Sequence, residues 1–305
     1  MENINYEKYY PTHEELESWI ASIHKEAEAS SVEAEVSGDF PIEMIRAFHS
    51  SARLVKFTVN QTHTFWGMWI PKETGSPAPL LVHVPGYGAE LSCHPDVAGA
   101  GYNVLLLSPL GYWTPGGFDD ALRMENGNWP VLPNTAAGKA GGYRDWLLDA
   151  VIAVNWARKQ ASVQDSGVSF YGTSQGGGTA LLLGSLFAGR GTRCVAADEP
   201  FLTNYPKAGM RGAYGVLADV YAAAEDKETY YHNLGFADTV AHAYRMNYPV
   251  LLTGGGNDNV CPPDTVETLF ERLPKTKSYT FLHDHPHGYN QRFITLALAW
   301  FALYA

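Results

Sequence analysis

Hydrophobic and polar positions follow two different patterns along the chain, and the change falls near residue 79. Beyond it, unbroken apolar runs typical of buried parallel strands alternate with segments that carry apolar residues at helical spacing. The runs predict strands at 80–84, 102–108, 168–171, 194–197, 249–253 and 279–282. Helices are predicted at 143–159, 264–273 and 291–304. A further helix is predicted directly after the 168–171 strand, and residues from about 211 to 246 are predicted to be helical. This alternation predicts an α/β fold whose mostly parallel central sheet carries helices on both faces.

The N-terminal part and one long internal segment depart from that alternation. Thr12 and Glu15 fit a capping box, which predicts a helix over about 14–29. Alternating residues at 54–59 and 64–70 predict an antiparallel hairpin at a sheet edge. Residues 109–142 are rich in Gly, Pro, Asn and Trp and lack periodicity, so they are predicted to form an inserted loop or lid. Because no linker or repeat is visible, residues 1–305 are predicted to form a single domain.

Composition narrows the classes of function. The chain has 305 residues, of which 46% are hydrophobic and 17% charged, as in an ordinary globular protein. A net charge of −11 without a basic cluster argues against nucleic acid as a partner. The sequence contains no apolar run of about 18 residues and begins without a signal-peptide pattern, which argues against a membrane partner. Its three cysteines form no Cys-x-x-Cys pair and suggest reduced thiols, so we expect a cytoplasmic protein.

The strand at 168–171 leads into the turn GTSQG at 172–176, which matches Gly-x-Ser-x-Gly between a strand and a helix. A nucleophile elbow of this kind holds a serine in a strained, exposed turn, and its small neighbours let strand and helix pass closely. Ser174 is therefore the candidate nucleophile. The alternative interpretation is a glycine-rich turn of an ordinary doubly wound sheet.

A serine hydroxyl needs a base to activate it, and the base needs a carboxylate to orient it. In folds with such an elbow, the carboxylate follows the serine along the chain and the histidine comes last. Asp258 lies just past the strand at 249–253, where ligands gather in open parallel sheets, and is the candidate acid. Asp264 is the alternative, although it resembles the N-cap of the helix predicted at 264–273.

The candidate base lies in the histidine-rich segment HDHPHG that follows the last predicted strand. His287 precedes a glycine just ahead of the final helix and is the first choice. His285 is the second candidate, whereas His283 continues the strand. A metal site built from these histidines and Asp284 is a further alternative, because histidine and aspartate at alternating spacing can bind zinc.

The oxyanion that develops on an attacked ester carbonyl needs two hydrogen-bond donors. The backbone N–H of Gln175 starts the helix after Ser174 and is one candidate. The second should come from the loop after the strand at 80–84, where Gly-Tyr-Gly occupies 86–88, and we assign it to the N–H of Tyr87. The alternative interpretation of this Gly-Tyr-Gly is a simple turn.

Five segments together resemble one known family. They read GTSQGGG, HVPGYGAE, VAADEPFLTNY, NLGFADTV and GGGNDNVCPPDTVETLF. From about residue 54 onwards the chain resembles the acetyl xylan esterase/cephalosporin C deacetylase family of α/β-hydrolases. The resemblance implies the α/β-hydrolase fold, with Ser174 as nucleophile, Asp258 as acid and His287 as base. It also implies an oxyanion hole formed by the Tyr87 and Gln175 amides.

Two positions depart from the family pattern. The family usually has Arg-Gly-Gln where this chain has Leu110-Gly111-Tyr112, and a His-Glu pair where this chain has His287-Gly288. The long 109–142 segment also differs. Members of the family are often ring-shaped hexamers, which adds a homo-oligomer to the expected partners.

The sequence therefore predicts a serine esterase that removes short acyl groups, in the first place acetyl, from sugars or related alcohols. No cofactor and no metal are expected, and the partner is a small ester, such as an acetylated oligosaccharide. One alternative is a carboxylesterase for bulkier or aromatic esters, and another is a hydrolase-fold binding protein with a silent site. The candidate substrate contacts are Tyr87, Tyr112, Trp113, Trp129 and Pro200.

Overall fold

A computed structural model describes residues 5–38, 51–72, 75–87, 91 and 94–305. In these ranges nine strands form one sheet: β1 (Val32–Ser37), β2 (Arg53–Val59), β3 (His63–Ile70), β4 (Ala78–Val84), β5 (Asn103–Ser108), β8 (Val163–Thr173), β9 (Thr192–Asp198), β10 (Val250–Gly255) and β11 (Lys277–Leu282). Two short strands, β6 (Trp113–Thr114) and β7 (Gly117–Phe118), form a separate ribbon. The order across the main sheet is β1-β2-β3-β5-β4-β8-β9-β10-β11.

The sheet is mostly parallel, as predicted. Strands β5, β4, β8, β9, β10 and β11 run parallel to one another, and β3, β2 and β1 extend the sheet from β5 with antiparallel pairing. The hairpin of β2 and β3 was expected at the sheet edge, but β1 pairs outside it. That expectation was wrong because β1 carries alternating glutamates and an exposed Val36, so its pattern is not that of a buried strand.

Helices connect the strands and flank the sheet. In chain order they are α1 (His13–Ala29), α2 (Pro95–Ala98), α3 (Val131–Ala136), α4 (Tyr143–Ala157), α5 (Gln175–Leu186), α6 (Tyr205–Ala208), α7 (Ala218–Ala223), α8 (Lys227–Gly235), α9 (Thr239–His242), α10 (Pro263–Arg272) and α11 (Gln291–Tyr304). The predicted capping box is present at the start of α1, where Thr12 and Glu15 bind each other's backbone N–H. None of the helices in the described ranges combines the length and apolar character that a membrane span needs.

Both faces of the sheet are covered, which explains the unbroken apolar strands. Along β4, Leu80 and Val82 enter one apolar layer with α1, α4 and α5, whereas Leu81 enters the opposite layer with α11. Because successive strand residues point to opposite faces, a strand covered on both sides is apolar at nearly every position. The two layers confirm the prediction of helices on both faces.

The helical interpretation of 211–246 was only partly right. The structure divides this segment into 3-10 turns at Gly212–Leu217 and Ala243–Arg245 and three short helices, α7, α8 and α9. Asp226 and Asp238 each accept backbone N–H groups at the start of a new helix. Aspartate at these two positions favours an N-cap over a helix interior, so the helices restart there.

The 109–142 segment contains more local structure than its sequence suggested. It holds 3-10 turns at Pro109–Gly111 and Asp120–Leu122, the β6–β7 ribbon and α3. Helix α3 packs with the first apolar layer through Val131 and Leu132. The interpretation of this segment as a lid stays a prediction.

Candidate active site

The turn between β8 and α5 holds Ser174 in an unusual backbone conformation. Its φ of 60° and ψ of −124° lie where a side chain is strained, at a cost of about 1–3 kcal/mol. Three backbone hydrogen bonds fix it there: Ser174 N donates to Asp198 O at 2.8 Å, and Ser174 O accepts from Gly178 N at 3.0 Å and Phe201 N at 2.9 Å. The end of β9 and the loop after it therefore support the elbow.

The glycines of the elbow are required by close backbone contacts. A Cβ on Gly176 would lie 2.2 Å from the carbonyl oxygen of Val84, and one on Gly178 would lie 1.9 Å from that of Phe201. Both obstacles are backbone atoms, so no side-chain rotation can relieve the contact. The glycine run therefore lets α5 pass the end of β4 and the 201 loop.

We expect Gly178→Ala to destabilise the fold by about 1–3 kcal/mol. Alanine has a higher helix propensity by about 1 kcal/mol, so the substitution would be favourable if helix propensity decided the outcome. The clash with the Phe201 carbonyl outweighs this gain, so we expect the variant to be less stable than wild type. Gly116→Ala is the control, because its Cβ would lie 3.6 Å from Thr114 Oγ1. Urea unfolding of both variants measures the effect, and an unchanged midpoint for Gly178→Ala would contradict it.

The structure brings the three first-choice candidates into one hydrogen-bonded chain. His287 Nε2 lies 2.9 Å from Ser174 Oγ, and His287 Nδ1 lies 2.9 Å from Asp258 Oδ2. The second oxygen of Asp258 accepts from the backbone N–H of Val260 at 2.7 Å and of Cys261 at 2.8 Å. The carboxylate is thus oriented by its own loop after β10, and the imidazole is held between it and the serine.

The other candidates have different environments. Asp264 lies in the first turn of α10, not at its N-cap, and its carboxylate pairs with Arg211 at 3.1 Å. His285 Nε2 faces Glu199 Oε1 at 3.7 Å, and the ring of His283 packs edge-on against Phe281. The structure therefore leaves these side chains outside the hydrogen-bonded chain that includes Ser174.

A different trio has the composition of a metal site within the described ranges. Ligand atoms of Asp258, Cys261 and His287 lie within 4.8 Å of one another. Both nitrogens of His287 already have partners in Asp258 and Ser174. Burial raises the pKa of the Cys261 thiol well above its usual range, which disfavours the thiolate that binds metals. The hydrogen-bonded arrangement therefore explains these residues better than a metal does.

A pocket of about 510 Å³ opens at Ser174 and His287. Its wall is mostly apolar or aromatic, and Asn126, Asn128 and Asp219 add polar groups. The remaining lining residues are Tyr87, Trp129, Val131, Leu132, Tyr143, Gln175, Phe201, Gly212, Ala213, Gly215, Val216, Ala218 and Val260. Tyr87 and Gln175, the predicted oxyanion donors, thus lie at the same pocket as Ser174, and their amide roles stay a prediction.

A family model for acetyl xylan esterases matches residues 4–303. The chain belongs to the acetyl xylan esterase family. It is 25% identical over 250 residues to the acetyl esterase Axe7A of Xylanibacter ruminicola, an alignment that covers 76% of this chain and 55% of that protein. The chain therefore spans about half the length of this curated relative.

Solved structures show the same fold. The acetyl xylan esterase 1 of a Thermoanaerobacterium species superposes with a TM-score of 0.78 at 22% identity, over 95% of this chain and 93% of the other. The acetyl xylan esterase of a Paenibacillus species gives 0.76 at 20% identity, over 98% of both chains. These likenesses, together with the sheet order, confirm the α/β-hydrolase fold that the sequence predicted.

The structure shows what occupies the two positions where this acetyl xylan esterase family member departs from the expected pattern. Leu110 forms part of a 3-10 turn with a positive φ, and its N–H donates to the buried Asp149 carboxylate at 2.9 Å. His63 binds the same oxygen at 2.7 Å. Gly288 N donates to Glu199 Oε2 at 3.0 Å.

The five predicted substrate contacts separate into two groups. Tyr87 and Trp129 line the pocket. Tyr112 stacks behind Trp129 with ring centres 4.3 Å apart, and Trp113 packs into the apolar layer that contains Met68. Pro200 is buried beside the start of α5. Tyr112, Trp113 and Pro200 are not among the residues that line this pocket, and their direct contact with substrate stays a prediction. Large aromatic side chains in a loop can serve the core as readily as a pocket.

Glu199 is the site residue that the sequence reasoning missed. Its carboxylate approaches His287 Nδ1 to 3.3 Å, and its side chain is fully buried. Burial, together with the charges of Asp198 and Asp258, raises its pKa to about 8. A usable signal was present, since Asp198-Glu199-Pro200 directly follows the strand beside the elbow strand, at the sheet end where functional side chains gather.

Proposed function

We propose that the protein is a serine esterase that removes short acyl groups, acetyl foremost, from esters of sugars or related alcohols. The observation that carries the proposal is the hydrogen-bonded chain from Ser174 through His287 to Asp258 at a strained elbow. Membership of the acetyl xylan esterase family supports an ester of acetic acid as the substrate. An acetylated xylan or xylo-oligosaccharide is the natural first candidate.

The geometry supports acyl transfer in two halves. His287 Nε2 takes the proton of Ser174 Oγ as this oxygen bonds to the ester carbonyl carbon. The resulting imidazolium then gives that proton to the leaving alcohol oxygen as the C–O bond breaks, which leaves the acyl group on Ser174. In the second half, water replaces the alcohol: His287 takes its proton, the hydroxyl bonds to the carbonyl carbon, and Ser174 leaves with the proton. The products are the alcohol and the carboxylic acid.

A carboxylate and two backbone amides complete the proposed mechanism. Asp258 holds the Nδ1–H tautomer of His287 and stabilises the positive charge that develops on the ring. The amides of Tyr87 and Gln175 donate to the oxyanion, where each such donor contributes roughly 10²- to 10³-fold to the rate. The position of Gln175 at the first turn of α5 adds the favourable field of a helix N-terminus.

A carboxylesterase for bulkier esters is the second candidate, because the pocket is roomy and mostly apolar. Aryl esters with a constant leaving group and acetyl, butyryl, octanoyl or benzoyl acyl groups separate the two proposals. Family membership leads us to expect the highest kcat/KM for acetyl and a value at least about tenfold lower for butyryl, a difference that two methylenes can supply. Release of acetate from acetylated xylo-oligosaccharides tests the sugar ester directly.

The same screen distinguishes every alternative. A maximum at octanoyl or benzoyl would contradict the acetyl preference and favour the bulky-ester enzyme. Hydrolysis of cephalosporin C would extend the substrate class to other acetylated alcohols. Complete inactivity, together with no labelling of Ser174 by a fluorophosphonate, would instead favour a hydrolase-fold binding protein with a silent site.

A further inference from the structure

Glu199 occupies a place that the proposed reaction does not use. It follows β9 directly, and its backbone φ of 43° is in the left-handed region, which costs a non-glycine residue about 1–2 kcal/mol. Its N–H donates to Thr253 O at 3.1 Å on the neighbouring strand β10. A buried carboxylate held in this conformation persists only where the surroundings over-determine it, and such positions cluster at functional sites.

Two carboxylates converge on one nitrogen of His287. Asp258 Oδ2 lies 2.9 Å and Glu199 Oε2 lies 3.3 Å from Nδ1. The same Glu199 oxygen accepts the N–H of Gly288 at 3.0 Å. Glu199 therefore approaches the imidazole and also binds the backbone of Gly288 in the same loop, whereas the backbone partners of Asp258 belong to its own loop after β10.

The neighbouring strand leaves room for this carboxylate. A Cβ on Gly255 would lie 2.5 Å from Glu199 Oε1 and 2.6 Å from the carbonyl oxygen of His285. Glu199 Oε1 is buried and has no hydrogen bond among the described residues. It faces His285 Nε2 at a distance of 3.7 Å, and this nitrogen also has no hydrogen bond among those residues. The carboxylate thus lies between two histidines of one loop and touches only one of them closely.

Titratable groups around Glu199 come from every element packed against it. They are Asp198 on its own strand, Asp258 and Cys261 after β10, and His285 and His287 after β11. Burial and the two aspartates raise the pKa of Glu199 to about 8, although Gly288 N–H and His287 oppose the rise. The pKa of His287 is raised in turn, because its bond to Asp258 and the nearby carboxylates outweigh the effect of burial. Glu199 and His287 therefore influence each other's protonation.

We propose that Glu199 is a positioning residue of this esterase site, a second carboxylate that acts with Asp258 to hold His287 and the 283–288 loop in reach of Ser174. It acts through the imidazole and makes no contact with the ester. The expected changes in kcat rest on the proposed function. The expected change in the titration of His287 rests only on the arrangement of the side chains.

Two variants of Glu199 separate charge from packing. Glu199→Gln keeps an acceptor for Gly288 N–H but removes the ionisable group, whereas Glu199→Leu removes both. For the hydrolysis of an aryl acetate we expect kcat to fall about tenfold in the first and about 100-fold in the second, with KM within twofold of wild type. Glu225→Gln, at an exposed glutamate, is the matched control and should leave kcat unchanged.

The decisive readout is the titration of the His287 ring, followed by NMR of labelled histidine. In wild type, the coupled pair should titrate in two steps. In Glu199→Gln we expect one step and a lower pKa of His287, since an amide cannot ionise beside the ring as the carboxyl group does. The rate of fluorophosphonate labelling of Ser174 should follow the same pH dependence.

Unchanged kcat and an unchanged His287 titration in Glu199→Gln would overturn the proposal and leave Glu199 a packing residue. Because glutamine is nearly isosteric, this variant decides the matter even where Glu199→Leu fails to fold. A wild-type protein that hydrolyses no ester would count against the proposed function only. The NMR comparison of wild type and Glu199→Gln would then still support or overturn the role of Glu199.

Discussion

Ser174→Ala is expected to lower the hydrolysis of an aryl acetate by about 10⁴-fold or more. Ser174 Oγ lies 2.9 Å from His287 Nε2 and opens onto the pocket, and the variant leaves no other hydroxyl at that position. Initial rates with an aryl acetate give the activity, and a fluorophosphonate that labels wild type should not label the variant. Near-wild-type turnover in Ser174→Ala would refute the proposed nucleophile.

Stability provides the control for this loss. Alanine keeps the Cβ and therefore the strained backbone of Ser174, so the melting temperature should stay close to that of wild type. Ser174→Gly should abolish activity equally and raise the free energy of unfolding by ~1 kcal/mol, because glycine adopts a positive φ without strain. An inactive but more stable glycine variant would show that the strained backbone at Ser174 supports activity and does not stabilise the fold.

Asp258→Asn is expected to lower kcat by about 10³- to 10⁴-fold, with the fold intact. An amide at this position can present N–H to His287 Nδ1 and favour the wrong tautomer, and it no longer stabilises the imidazolium. Asp264→Asn is the matched control, since this partly exposed carboxylate pairs only with Arg211 within the described structure. Its activity should equal that of wild type.

The pH profile distinguishes this role of Asp258 from simple packing. The hydrogen bond to Asp258 raises the pKa of His287, although burial alone would lower it. The base works only when neutral, so wild-type kcat/KM should fall as the pH drops through this raised value. In Asp258→Asn the pKa should be lower, and the acid limb of the residual activity should move to lower pH. An acid limb at the same pH in both proteins would contradict the role of Asp258.

Much of the site was predictable because its residues sit at regular places in a regular fold. Parallel strands appear as apolar runs, and functional side chains follow their carboxyl ends, which led to Ser174, Asp258 and His287 before any geometry was known. Strand order then explains why they meet: β8, β9, β10 and β11 are consecutive in the sheet, so the segments after them share one edge.

What the sequence did not predict depends on contacts between distant segments. Glu199 is significant only because Gly255 leaves space for its carboxylate and Gly288 donates to it. Trp113 and Trp129 are the same residue type in one segment, yet only Trp129 lines the pocket, where Arg123 lies 4.0 Å over its ring. No periodicity distinguishes them, because the tertiary contacts of an irregular segment decide which ring faces the pocket.

The side chain of Tyr87 connects two parts of the molecule that are usually treated separately. It is 51% exposed, and its hydroxyl accepts Trp129 N–H at 2.7 Å and lies 3.3 Å from Asn128 Oδ1, while its backbone belongs to the loop after β4. The amide that we propose for the oxyanion thus belongs to the residue that anchors the 109–142 segment. In evolutionary terms, we therefore expect selectivity and turnover to change together, because a substitution in this segment that admits a new alcohol group would also shift the residue whose amide we propose for the oxyanion.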